Sequence, residues 1–132
     1  MEEFLYKELT YSIRGACFEV YKKFGGSFKE KVVENALLIE LKNKNLLVEN
    51  QKQIAIYYKN KKVGVYVPDF VVNDAVLVEL KCKPQIYRED ERQFWLYLQG
   101  SPYKVGLLVN FGPQKLEIVR RVYDKARNGN SA

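Results

Sequence analysis

With 132 residues, 47% of them apolar and 29% charged, the chain has the size and balance of one globular domain. Its 22 basic residues outnumber 16 acidic ones, a formal charge of +6 that suits a polyanionic partner. There is no histidine, which excludes Ser-His-Asp triads, Cys-His nucleophiles and histidine metal sites, and two cysteines, Cys17 and Cys82, cannot build a four-cysteine zinc site.

From about Leu5 to Phe24 the pattern of Leu9, Ile13, Ala16, Cys17, Val20 and Phe24 predicts a helix, ended by Gly25-Gly26. A second helix is expected from Ser27 to about Lys44, with Val33, Leu37, Leu38 and Leu41 inward. Ser27 and Glu30 have the spacing of a capping box, a role compatible with a functional Glu30. Gln53 to Tyr58 reads as a strand and Lys59-Asn60-Lys61 as a turn. Val63 to Val72 and Ala75 to Cys82 read as two strands joined at Asn73-Asp74, and Pro84 bars continuation of the second.

Arg88 to Gln99 reads as a third helix, followed by strands from Lys104 to Asn110 and Lys115 to Tyr123. The expected order is ααβββαββ, an α/β fold with a central mixed sheet flanked by helices, in one domain over residues 1–125 with a flexible tail at 126–132. No apolar run is long enough to cross a bilayer, and Glu2 and Glu3 do not suit a signal peptide, so a cytoplasmic setting is expected, with both cysteines as reduced thiols.

The chemistry concentrates in Pro68-Asp69-Phe70 and, ten residues after the Asp, Glu79-Leu80-Lys81. A hairpin folded about Asp74 sets Asp69 directly opposite Glu79. Strand alternation then puts Val67, Asp69, Val71, Leu77, Glu79 and Lys81 on one face, and Tyr66, Pro68, Phe70, Val72, Val76, Val78, Leu80 and Cys82 on an apolar one. Facing carboxylates repel, and a cation between them removes that cost. Two acids and a lysine at this spacing meet the needs of a metal-dependent phosphodiesterase. Gln93 and Tyr97, four apart on the third helix, share a face able to hydrogen-bond a phosphate or a water. Lys59, Lys61, Lys62, Lys83 and Arg88 are candidate phosphate contacts, and Tyr57, Tyr58 and Tyr66 are candidates for stacking on bases or for core positions.

These residues resemble the PD-(D/E)XK nuclease superfamily and, within it, the small prokaryotic proteins of the GxxExxY family. Besides the metal motif, the resemblance rests on Phe24-Gly25-Gly26-Ser27-Phe28-Lys29-Glu30, Glu34-Asn35-Ala36-Leu37, Pro68-Asp69-Phe70-Val71-Val72 and Gly106-Leu107-Leu108-Val109-Asn110-Phe111-Gly112. The spacing from Gln93 to Tyr97 is similar to the QxxxY helix motif of RecB-type nuclease domains. Ser27 and Val33 stand where the naming motif has Gly and Tyr.

The resemblance implies a restriction-endonuclease-like core. It implies Mg²⁺ or Mn²⁺ held by Asp69, Glu79, the Leu80 backbone carbonyl and Glu30, with Lys81 serving the attacking water and Gln93 and Tyr97 supporting the site. The expected function is hydrolysis of phosphodiester bonds in DNA, with RNA left open as a substrate. The alternatives are a non-catalytic nucleic-acid-binding module on the same scaffold, or an interaction protein with a vestigial metal site. No membrane partner is expected, and the small size suggests a homodimer or an accessory protein.

Overall fold

A computed structural model describes residues 6–26 and 28–124. Helix α1, Lys7–Phe24, buries Thr10, Ile13, Ala16, Cys17 and Val20, the three- and four-residue spacing of one helical face. It stops where Gly25 turns to φ 63° and donates its amide to the Tyr21 carbonyl at 2.8 Å. Helix α2, Glu30–Asn43, buries Val33, Glu34, Leu37 and Leu41.

Helix α2 begins later than the expected capping box would place it. Ser27 lies outside the described residues, the N-cap is Lys29, and Glu30 is the first helical residue. The reason is steric. The backbone at Gly26 runs so close to the turn at Gly112 that a Cβ there would stand 2.1 Å from the Gly112 carbonyl oxygen. A chain held against that turn enters the helix late, and Glu30 then places its carboxylate in the first turn, where the helix dipole favours it.

Among the described residues seven strands follow the two helices, interrupted by α3, Arg88–Gly100. Strands β1 (Val48–Asn50), β4 (Phe70–Val72), β5 (Val76–Lys81), β6 (Val105–Phe111) and β7 (Leu116–Val122) form one sheet in the spatial order β1-β4-β5-β6-β7. Only β5 and β6 are parallel, because α3 crosses between them. Every residue of β6 is buried, as expected for a central strand covered on both faces. Strands β2 (Ile54–Tyr58) and β3 (Lys61–Tyr66) form a separate antiparallel pair.

The sheet has two cores. On one face Phe70, Val72, Val76, Val78 and Leu80 pack against α1 and α2. On the other, Val71 and Leu77 join Leu98 of α3, Tyr103, and Ile54 and Tyr66 of the β2–β3 pair.

The order is therefore ααβββββαββ within the expected α/β class. One added strand is β1, three residues long and too short to show a period. The other arises because the run from Val63 to Val72 breaks at Val67-Pro68-Asp69. Proline has no N–H to give a ladder, so β3 ends and the chain starts a new strand in a different sheet. The break moves Tyr66 from the expected apolar face onto the same side of the sheet as Glu79. The face expected to carry the chemistry is also half core, since Val71 and Leu77 are fully buried on it.

Among the described residues no helix is long and apolar enough to cross a membrane. Residues 126–132, expected as a tail, lie outside the described residues.

Candidate active site

Asn73 and Asp74 take φ values of 54° and 49°, and the Ala75 amide donates to the Val72 carbonyl at 3.0 Å. Two consecutive left-handed residues, a conformation that Asn and Asp tolerate, make a tight turn, and with Ala75 they form a three-residue hairpin loop. The register runs Val72↔Val76, Val71↔Leu77, Phe70↔Val78. Extended by one step, it sets Asp69 opposite Glu79.

Asp69 sits just before β4 begins, where its side chain is free of the ladder. Its Oδ2 accepts the Leu80 amide at 2.7 Å. Its backbone carbonyl accepts the Asn50 side-chain amide at 2.9 Å and the Gln51 backbone amide at 3.2 Å. Glu79 accepts a hydrogen bond from the Tyr66 hydroxyl at 3.1 Å, and the Tyr66 ring stacks on Tyr97 of α3, centroids 4.1 Å apart and planes 2° from parallel. Glu79, Lys81, Gln93, Tyr97, Tyr66 and Asp90 line a cleft of about 20 Å³, room for one water.

The acids are crowded and only partly compensated, so burial prevails over Lys81 and the hydrogen bonds they accept. Burial and then the Asp69 charge push the Glu79 carboxyl up to about 7. Asp69 is also raised, mainly by burial, although the Leu80 amide opposes the shift. Glu30 is raised by burial and by Asp69, with Lys81 pulling the other way. Glu30, Asp69, Glu79 and Lys81 thus share one electrostatic neighbourhood. The Cys82 thiol, beside Glu30 and Asp69, is pushed up to about 11 chiefly by burial, and Cys17 to about 12, so neither is a reactive thiolate.

Among the described residues no three acidic or cysteine side chains close into a complete metal-binding set. The donor chemistry nonetheless suits a hard divalent cation. Mg²⁺ is commonly held by one or two carboxylates plus waters and substrate phosphates, and Asp69 and Glu79 supply such a pair.

Glu34 was not singled out by the sequence as a site residue. It is 6% exposed, and its Oε2 accepts the side-chain amides of Asn50 at 2.9 Å and Gln51 at 3.0 Å, with Lys31 3.7 Å from Oε1. Asn50 and Gln51 also hold the Asp69 carbonyl, so Glu34 fixes the segment that carries Asp69. Two signals were available: an acid inside the apolar stripe of α2, and its place four residues after Glu30 on one helix face. Glu34→Ala should cost about 1 kcal/mol, since it removes two hydrogen bonds whose donors, Asn50 and Gln51, are exposed enough to turn to water. It should also reduce any rise in melting temperature produced by Mn²⁺, both measured by thermal denaturation.

The basic candidates divide into two groups. Lys59, Lys61, Lys62 and Arg88 are exposed. Lys83 is engaged, with its ammonium 2.8 Å from both oxygens of Asp90 and 4.9 Å above the Tyr87 ring. Burial raises the Asp90 carboxyl, but the Lys83 ammonium and the Tyr87 amide outweigh it and hold it below the usual range. Lys83 thus ties the end of β5 to the start of α3.

A mixed five-stranded sheet flanked by helices, with an acid pair at the end of its central hairpin, is a restriction-endonuclease-like nuclease fold. A model of the PD-(D/E)XK nuclease superfamily matches residues 7–122, and the chain belongs to that superfamily. The crystal structure of an alkaline exonuclease (LHK-Exo) from Laribacter hongkongensis is similar in fold, with TM-score 0.53 and 13% identity, covering 97% of this chain and 75% of that one. No curated protein sequence matches this chain.

Proposed function

We propose that the protein is a single-domain, Mg²⁺- or Mn²⁺-dependent nuclease that hydrolyses phosphodiester bonds in DNA. The observation that carries this is the apposition of Asp69 and Glu79 beside Lys81, with Leu80 N–H donating to Asp69 between them. Asp69 and Glu79 would hold the ion, with Glu30 as a further acid. In an antiparallel ladder the N–H and C=O of a residue face the same neighbour. The Leu80 carbonyl therefore lies towards the Asp69 side, where β4 has not yet begun, which supports it as a ligand.

A bound divalent ion supplies an acidified water and offsets charge on the phosphate. The remaining work falls to the chain. Lys81 offers an ammonium to the attacking water and to the developing negative charge. Tyr66 fixes one oxygen of Glu79, and its stacking on Tyr97 ties that contact to α3. Gln93, on the cleft wall, can donate to a phosphate oxygen. The Glu30 and Gln93–Tyr97 positions support assignment to the GxxExxY proteins with a RecB-like helix motif.

The test is cleavage of labelled linear, circular, single-stranded and branched DNA with Mn²⁺, Mg²⁺ or EDTA. Wild type should cut only with metal, and Lys81→Ala should lose at least about a hundredfold in rate. Binding without cutting, in every metal, would instead assign a nucleic-acid-binding module.

A further inference from the structure

The β2–β3 pair stands outside the main sheet and exposes its tip. Tyr57 and Tyr58 are each 65% exposed and Val63 63%, a concentration of bare apolar surface on a short element. Such surface on a hairpin is ordinarily a hazard, because both strand edges are open to pairing. Here it is interleaved with charge of one sign. Between Glu49 and Asp69 there is no acidic residue, while Lys52, Lys59, Lys61 and Lys62 all fall there. Lysine on an edge blunts self-pairing, and two copies brought together at this tip would repel.

The element is an arm rather than a loop. Lys59 and Asn60 have φ 50° and 66°, the two left-handed residues of a tight hairpin turn. Cross-strand pairs run from Tyr58↔Lys61 and Tyr57↔Lys62 at the tip to Ile54↔Tyr66 at the root, with an irregularity between Ile56 and Tyr57. The root is fixed. Ile54 and Tyr66 are buried, and Tyr66 holds Glu79 and stacks on Tyr97. At the tip, the Lys59 ammonium lies 5.6 Å from the centre of the Tyr58 ring. The five-residue rise from Tyr66 to Lys61 spans about 17 Å, long enough to run beside several nucleotides of one strand.

We propose that this arm is a stacking platform for unpaired bases, so that the substrate is a single strand, or a frayed end, leading from the tip of the arm to the acid pair. Aromatic faces can stack on bases only where those bases are not already stacked within a duplex, whereas lysines hold phosphates of either form. Exposed tyrosines among lysines therefore select the single strand. The inference rests on the nuclease reading for the nature of the polymer, but its test does not depend on cleavage.

Binding of a fluorescent single-stranded oligonucleotide, and of a blunt duplex of equal length, is measured by anisotropy in EDTA. Wild type should favour the single strand. Tyr57→Ala/Tyr58→Ala should weaken single-strand binding at least about tenfold and leave duplex binding and the melting temperature unchanged, while Tyr57→Phe/Tyr58→Phe should restore it. Lys59→Ala/Lys61→Ala/Lys62→Ala should weaken both forms and flatten the salt dependence. Equal affinity of wild type for both forms, or unchanged single-strand binding in the tyrosine-to-alanine variant, overturns the proposal. A dimer in light scattering that the same variant dissolves would make the arm a self-interface and also overturn it. Failure of the nuclease reading has a separate signature: no cleavage in Mn²⁺ while the tyrosine-dependent binding persists.

Discussion

Glu79→Gln is expected to make the metal-free protein more stable at pH 8 while removing metal-dependent cleavage. Burial and the Asp69 charge raise this carboxyl from 4.5 to about 7 in the folded chain. A raised acid favours the fold in its neutral form. Its penalty is absent below pH 4.5, grows as the pH climbs towards 7, and is fully present at pH 8. The penalty is on the order of 3 kcal/mol, or about 10 °C in melting temperature. Glutamine keeps the shape and still accepts the Tyr66 hydroxyl, but carries no charge. Wild type and variant should therefore melt together near pH 4 and diverge as the pH rises. Parallel melting curves across that range would show that Glu79 is not strained by its neighbours. The same substitution removes one anionic ligand, so cleavage in Mn²⁺ should fall by more than about a hundredfold. A residue whose removal stabilises the fold and abolishes turnover is present for chemistry rather than for packing.

Gly26→Ala is expected to lower the melting temperature by about 10 °C, the effect of about 3 kcal/mol of overpacking. The added Cβ would meet the Gly112 carbonyl oxygen at 2.1 Å, its carbon at 2.3 Å and the Pro113 Cα at 2.7 Å. All three are backbone atoms and cannot rotate away. The Gly112 carbonyl also accepts the Tyr21 hydroxyl at 2.6 Å, so moving the turn disturbs α1 as well. Gly64→Ala and Gly100→Ala are the controls, since nothing lies within 4 Å of a Cβ at either position. Both should melt within a few degrees of wild type. The displacement should also reach the site, because Gly26 leads into α2 and Glu30, and a weaker Mn²⁺ response at a temperature where the variant is folded would show it.

Much of the central hairpin was legible because local chemistry and global pairing agree there. Asn73 and Asp74 accept left-handed backbone, the flanking valines favour strand, and a turn centred on Asp74 leaves only one register. The sequence reading set Tyr66 on the other face and missed the roles of Glu34 and β1, for different reasons. Tyr66 was assigned by alternation along a run that Pro68 cuts, so its true face depends on which sheet β3 joins. Glu34 is an acid in an apolar stripe, and its partners Asn50 and Gln51 lie sixteen and seventeen residues away. Strand β1 is three residues long and exists because β4 offers it an edge. For Lys83, charge alone suggested a phosphate contact, while the nearby Asp90 side chain already occupies it.

The sequence by itself determined the elements whose signals are local. These are α1 with its glycine stop, the Asn73-Asp74 turn, the alternation that puts Asp69, Glu79 and Lys81 on one face, and the absence of any histidine for catalysis. Tertiary structure decided what depends on contacts between distant segments. It split one apolar run between two sheets, set Tyr66 against Glu79 and Tyr97, and tied Asp69 to α2 through Asn50 and Glu34. It also pressed Gly26 onto Gly112. Turn and strand preferences act over a few neighbouring residues, whereas the burial that raises the Glu79 carboxyl arises only when α3, β3 and β5 close over the same small space.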